Sequence, residues 1–459
     1  MKTNSSLLMS AALLATAMSS FGQPGITQQP TNQMPYVGST AAFSVIATGS
    51  PPPTYQWRLN GTELLDKTNT SLSLLNVQFT NAGPYSVVVS NDGGSVTSRV
   101  AWLSVLPTNV VNLGGLELRF GVPTNLTALN SSAFEDECSI STDGLTIFFE
   151  SGRPGGSGST DIWRSTRPTA ASPWGAPVNL SAPVNSAWDD GSPRISPDGL
   201  SLYFESFRAG GAGGGDIWVA TRPTPTDPFG APVNLGPAVN SAWEEFGPSI
   251  TADGLTLLFG AIDRPGGLGG GDIWISTRTN RLSPWEPARN LGAPVNTANY
   301  DVFPCLSTDG LLLFFMSDRA NPGTGNAWVA KRATTASPFD PPVRIRAIAE
   351  PTVRARPHAI SADGTTLYFG SDRSGGLGDW DLWQISVTRL PVLTALGVSG
   401  NGEFQFELLG RAGATYEIQV SPDSGTWTPW IRTNTSDRVK LSDPASAPEG
   451  RRFYRALSH

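Results

Sequence analysis

Cysteine and histidine are nearly absent, with two of each in 459 residues. That excludes a disulfide framework and leaves almost no room for a zinc site or a Cys–His nucleophile, which need several such residues at set spacings. Lysine is scarce too: four Lys stand against 27 Arg. With a net charge of −7 the chain offers no basic face to nucleic acid, so no nucleic-acid partner is expected. Charged residues make up only 15%, against about 25% in ordinary globular chains. Beyond the first two dozen residues no stretch approaches the ~18 apolar residues of a membrane helix, so no transmembrane segment is expected. What the chain has instead is Gly (50), Pro (38) and Trp (14), with 39% hydrophobic residues. That mixture suits short strands joined by tight turns, in an all-β chain of about three domains.

The N-terminus reads as an address. Lys2 precedes an apolar run from Leu7 to Met18, followed by Ser19, Ser20 and Gly22. This is the layout of a secretory signal peptide over residues 1–22. No Cys follows it, so a lipid anchor is not expected. The expected location is periplasmic, cell-surface or secreted.

Residues 23–106 alternate apolar and polar positions between turn clusters. Ala42–Ile46, Tyr55–Leu59, Ser71–Leu74 and Tyr85–Val89 read as strands, and Asn91-Asp92-Gly93-Gly94 as a hairpin turn. Trp57 and Tyr85 stand where an immunoglobulin-like sandwich places its core Trp and its corner Tyr. The segment resembles that family, with one departure: Val45 and Val87 occupy the two cysteine positions. The resemblance implies a spacer or adhesion module held by packing alone.

The middle of the chain repeats. Asp-Gly pairs begin at Asp143, Asp198, Asp253, Asp309 and Asp363, and Trp163, Trp218, Trp274, Trp328 and Trp383 keep the same period of about 55 residues. Each unit reads as four strands: one before the Asp-Gly turn, one after it, a third at Asp-Ile-Trp and a fourth at Pro-Val-Asn-Leu. A four-stranded unit repeated radially is a β-propeller blade. Five units, with the Phe120–Leu126 segment supplying the outer strand of the last, predict a five-bladed propeller over 107–390 whose ring closes on the N-terminal sequence. The motifs Ser-Pro-Asp-Gly-Leu-Ser-Leu-Tyr-Phe, Asp-Ile-Trp and Pro-Val-Asn-Leu resemble TolB-type, WD-repeat-like propeller repeats of bacterial secreted and envelope proteins. That resemblance implies an interaction platform for an envelope protein or an extracellular glycan. Residues 391–459 read as a small C-terminal β module, with strands at Phe404–Leu408 and Tyr416–Val420 and a closing Phe-Tyr-Arg.

Candidate chemistry lies where the repeat places acids before each first strand: Glu135, Asp190, Glu245 and Asp301, with Arg354 in the fifth unit. On a propeller these ring the channel mouth, where carboxylates can hold a polyhydroxylated ligand or Ca²⁺. Alternatively each acid caps backbone N–H groups of its own blade. Phe134, Trp188, Trp243 and Tyr300 precede the acids as an aromatic rim for sugar rings or cationic side chains, or pack between blades. Arg153, Arg208, Arg264, Arg319 and Arg373 read as partners of Asp161, Asp216, Asp272 and Asp381 beside the glycine loops. Those loops lack the Lys-Ser/Thr of a phosphate cradle. His358 reads as a satisfied loop histidine, and Cys138 and Cys305 as two buried thiols. The Ser421–Trp427 run is one residue short of a sialidase Asp-box.

These features together predict an exported, non-enzymatic binding or scaffold protein with no cofactor. The alternative is a polysaccharide hydrolase or lyase that uses the mouth carboxylates as its acid–base pair.

Overall fold

The computed structural model describes residues 22–33, 35–103, 105, 108–320, 322–348, 353–398, 403–410, 415–421, 428–434, 438–443 and 453–458. The expected signal segment lies outside them except for Gly22, as does most of the Ser421–Trp427 run. Among the described residues there is no α-helix, and the protein is all-β, built of many small sheets, none of which closes on itself. It divides into two units, Met1–Thr108 and Asn109–His459.

In the first unit the alternating pattern produces one-sided strands. Gly83–Asn91 buries every second residue, as a sheet with one solvated face requires. It lies between Thr54–Leu59 and Gly94–Thr97, and also pairs with Ala101–Leu103. Ala41–Ser44 pairs with Ser71–Leu74. Trp57 and Val87 are fully buried with Phe43, Val45, Leu72 and Tyr85. The Tyr85 hydroxyl donates to the Asn81 carbonyl at 2.8 Å, and Trp57 Nε1 donates to Asn69 O at 2.9 Å. Both aromatic polar atoms are thereby satisfied, and the valines fill the space where a disulfide would otherwise sit.

In the second unit the strands read differently. Thr146–Ser151 is apolar at three consecutive positions, Ile147, Phe148 and Phe149, all buried. A strand covered on both faces has this pattern. Four sheets of four strands follow in simple up-and-down order. The first is Glu135–Ile140, Thr146–Ser151, Asp161–Thr166 and Val178–Asn179, and the others begin at Asp190–Ile195, Glu245–Ile250 and Asp301–Leu306. A fifth sheet has Ala355–Ile360, Thr366–Ser371 and Asp381–Leu390, and its remaining strands come from before the repeats. Thr124–Asn125 pairs with Gln384 and Trp383, and Glu117–Phe120 pairs with Val387–Leu390. At every Asp-Gly turn the glycine has φ between 68° and 74°, a left-handed backbone open to Gly at little cost.

The sheets stack through their aromatic second strands. Phe149, Phe204, Phe259, Phe315 and Phe369 occupy the same position and all are fully buried, each contributing about 1.5–3 kcal/mol. The first strand of each sheet packs against that of the next, and that of the fifth packs against that of the first. The five first strands thus converge, which positions the site described below.

The C-terminal residues form two three-stranded sheets. One is Val392–Val398, Phe404–Leu409 and Arg438–Asp443; the other is Thr428–Asn434, Thr415–Ser421 and Phe453–Ser458. Phe406, Leu408, Tyr416, Ile418 and Leu441 form their core.

Candidate functional site

The four acids picked out by the repeat are not at the surface. Glu135, Asp190, Glu245 and Asp301 are each 0% exposed. Each accepts from the backbone N–H and side-chain hydroxyl of a residue four positions earlier: Ser131, Ser186, Ser241 and Thr297. Each also meets an arginine from the end of the second strand of its own sheet, Arg153, Arg208, Arg264 and Arg319, at 3.1, 2.5, 3.2 and 2.6 Å. The guanidinium in turn lies over two aromatic rings, as Arg153 does over Phe149 and Trp163. Each is hydrogen-bonded and ion-paired within its own sheet and shut off from solvent, so these carboxylates are internal pins. The expected ring of ligand-binding acids is corrected accordingly.

Two related expectations change with it. Four of the five arginines pair with the pin acids, while Arg373 donates to Ile348 O at 2.8 Å, and Asp161, Asp216, Asp272 and Asp381 are left to cap the glycine loops. Asp161 accepts from Ser157 N at 2.7 Å, and Asp272 from Leu268 N at 2.7 Å. Arg354 is not the fifth member of the ring: Ala355 faces Ser371 in the register where Glu135 faces Ser151. Arg354 instead bonds to Asp372 at 2.8 Å and is half exposed. Among the described residues no group of three His, Cys, Asp or Glu side chains is placed to hold a metal ion, so the Ca²⁺ option has no ligand set there.

The aromatic rim divides. Trp188 and Trp243 are 56% and 40% exposed, which removes the packing alternative for both, while Phe134 and Tyr300 are half-buried.

A different cluster lies where the five first strands converge. A narrow cavity there is lined by Glu137 and Cys138, Ser192 to Arg194, Gly247 and Pro248, Phe303 and Pro304, and Pro357 and His358, a pair or more from each strand. Every one of these strands breaks register at this point, between Asp136 and Cys138, Gly191 and Arg194, Phe246 and Ser249, Val302 and Cys305, and Pro357 and Ala359. Such a bulge re-aims side chains. At it Glu137, Ser192 and Phe303 take left-handed backbone, with φ of 33°, 50° and 56°, at a cost of about 1–3 kcal/mol each. Arg194 crosses the cavity floor, donating from Nε to Pro248 O at 3.1 Å and from Nη2 to His358 O.

The lining is chemically lopsided. Ser192 receives three carboxylates: its N–H donates to Glu150 Oε2 at 3.0 Å, its hydroxyl to Glu205 Oε2 at 3.1 Å, and it also bonds Glu137. Burial, together with Glu150 and Asp136, pushes the Glu137 carboxyl well above its ordinary range. Burial with Glu137 and Glu244 does the same to Glu205. Burial and Asp136 raise Glu150 to about 7. All three are half-buried and gather around Ser192, which lines the cavity with Glu137. Glycine makes room for them: a Cβ at Gly191 would sit 2.2 Å from Glu150 Oε2, and one at Gly215 would sit 2.2 Å from Glu205 Oε1.

On the fifth-sheet side Asp136 bridges Arg356 Nη1 and His358 Nε2, both at 2.7 Å. Burial would raise Asp136, but His358 and Arg356 outweigh it and hold the carboxyl below its usual range. Burial outweighs the neighbouring Asp136 carboxylate and holds the His358 imidazole below its ordinary value, with Nε2 at 2.7 Å from Asp136 Oδ1. His358 is thus satisfied, but on a strand rather than in a loop. The third- and fourth-sheet side is apolar, with Phe246 and Phe303 at 4.9 Å. Cys138 and Cys305 are buried free thiols.

These residues were missed because they do not repeat. The signal was one position downstream of the pins: Asp136-Glu137, Gly191-Ser192, Phe246-Gly247, Val302-Phe303 and Arg356-Pro357 differ in every unit.

Residues 23–91 match a family model for an immunoglobulin domain. Over 128 residues the chain is 34% identical to the mouse protein "Leucine-rich repeats and immunoglobulin-like domains protein 3"; the match covers 23% of this chain and 11% of that protein's length. Solved structures that are similar include a chimeric titin Z1Z2 carrying a KLER peptide from decorin (27% identity, 19% of this chain and 97% of that chain, TM-score 0.17) and tandem Ig repeats of Dlar (28%, 18% and 48%, TM-score 0.18). On the family match over residues 23–91, the N-terminal unit contains an immunoglobulin-like domain.

Proposed function

We propose that residues 107–390 are a five-bladed β-propeller of the TolB-like, WD-repeat type. In this reading the chain is an exported, non-enzymatic binding protein that offers the mouth of the propeller channel to a protein or carbohydrate ligand. The cyclic packing of the first strands and the borrowing of Thr124–Asn125 by the last sheet support the propeller. Tandem immunoglobulin sandwiches would need Greek-key crossings, whereas each of these sheets is an up-and-down meander.

One observation carries the binding reading. The pin acids repeat nearly unchanged, while the mouth residues one and two positions later differ in every sheet. A scaffold needs the first; a surface that reads a ligand needs the second. Export rests on the Lys2–Gly22 layout. A hydrolytic alternative loses Glu135, Asp190, Glu245 and Asp301, which are sealed in ion pairs, and would have to draw on the raised carboxyls Glu137, Glu150 and Glu205.

The test is a glycan and peptide binding screen with the full mature chain and its Trp188→Ala/Trp243→Ala variant. A ligand whose binding is lost in the variant, with the melting temperature unchanged, supports the mouth. Ligands that bind both proteins equally move the site elsewhere. Turnover of a polysaccharide that Glu150→Gln abolishes would favour the hydrolytic reading.

A further inference from the structure

We infer that the channel mouth docks a cationic polypeptide segment, a lysine or arginine side chain presented beside an apolar residue. This rests on the mouth reading above and narrows it to one class of partner.

The first observation is an aromatic surface open to solvent. Trp188, Phe207 and Trp243 are 56%, 42% and 40% exposed. Backbone contacts link the segments that carry them. The Phe207 N–H donates to Asp189 O at 3.1 Å, joining Phe207 to the segment that carries Trp188. Gly215 lies against both the Phe207 ring and the Glu205 carboxylate, and its neighbour Gly214 lies against Glu244, which follows Trp243. Three large rings spread over two neighbouring sheets exceed what a lone ammonium ion would cover, and they fit an extended chain.

The second observation is charge. Inside the sheets every pin carboxylate has its arginine. At the mouth the pattern stops: among the described residues none of Glu137, Glu150, Glu205 and Glu244 has a cation within 4.0 Å. The nearby arginines are committed, Arg356 to Asp136 and Arg354 to Asp372. The rim therefore offers carboxyls with no ion-pair partner of their own beside exposed aromatic faces, and any charge they carry is negative. A guanidinium or ammonium over such faces gains from both. The chain uses the same combination internally, where Arg264 lies 4.6 Å from the Trp274 ring centroid and pairs with Glu245. An incoming cation would also draw protons off the raised Glu205 and Glu137 carboxyls, so its binding should strengthen as pH rises.

The probes are labelled octalysine and octaglutamate, each with one tryptophan, and a neutral cello-oligosaccharide. Each is titrated against the full mature chain by fluorescence anisotropy at about 0.15 M salt. The expected result is binding of the lysine peptide alone. Glu205→Gln/Glu244→Gln should weaken it about tenfold or more. The charge-matched Glu63→Gln/Asp92→Asn variant, altered in the other unit, should leave it within about twofold. Equal weakening by the two double variants would reduce the effect to net charge and overturn the inference, as would no lysine-peptide binding at all. Binding of the neutral glycan that depends on Trp188 and Trp243, without lysine-peptide binding, would overturn the cationic partner while leaving the mouth in place.

Discussion

A buried carboxylate reads very differently depending on what surrounds it. Asp190 meets Arg208 at 2.5 Å, with both side chains largely or wholly buried, and breaking such a pair by deleting one partner costs about 3–5 kcal/mol. Asp190→Ala and Glu245→Ala are therefore expected to lower the thermal midpoint by several degrees. An unchanged midpoint with altered ligand binding would return these acids to the mouth. Glu150 has no such partner. Its folded carboxyl titrates near 7, above its unfolded value, so the stability tied to its proton is present below about pH 4.3 and is lost as pH rises through about 7. Asp136 runs the other way: held below its ordinary range, it contributes stability at neutral pH that is lost as pH falls through its lowered value. The expectation is a melting temperature that rises between pH 8 and pH 5 and falls in stronger acid. Glu150→Gln should flatten the first part of that profile, and an equally steep profile in the variant would remove Glu150 as its source. None of this was legible in the sequence. The pin acids meet arginines about 18 residues away in the same sheet, but their burial depends on neighbouring sheets, and Asp136 and His358 meet across 222 residues.

At the scale of elements the sequence was far more legible. Two-residue alternation marked the immunoglobulin-like strands, and a repeated Asp-Gly and a repeated Trp marked each sheet, because turn chemistry and packing period are local properties. The bulge in each first strand left a weaker mark, since the unpaired residues, Glu137, Ser192 and Pro193, Gly247 and Pro248, Phe303 and Pro304, and His358, have a proline in three of the five strands but no functional group in common. Two outcomes follow at this scale. Deleting residues 118–127 removes the strands that pair with Trp383 and Gln384 and with Val387–Leu390, and leaves an open sheet edge. That variant should aggregate or melt well below the intact chain; equal stability would show that the last sheet does not depend on this segment. In the N-terminal unit Trp57→Ala should cost about 3–5 kcal/mol. Its unfolding should not respond to reductant, because Val45 and Val87 leave no bridge to break. A reductant-sensitive transition in that unit would contradict the packing described.

For the molecule as a whole, the account separates a repeated internal frame from a non-repeated mouth. Four ion-paired pins and five glycine turns hold the sheets, while Trp188, Phe207, Trp243 and the Ser192 carboxylates face outward or into the recess. That division is the central claim. Hydrogen–deuterium exchange of the full chain, with and without a ligand from the binding screen, tests it most directly. The account predicts new protection at residues 186–192, 205–216 and 243–247, with the Asp-Gly turns and the N-terminal unit unchanged. Protection confined to the Asp-Gly turns or to residues 23–106 would contradict it.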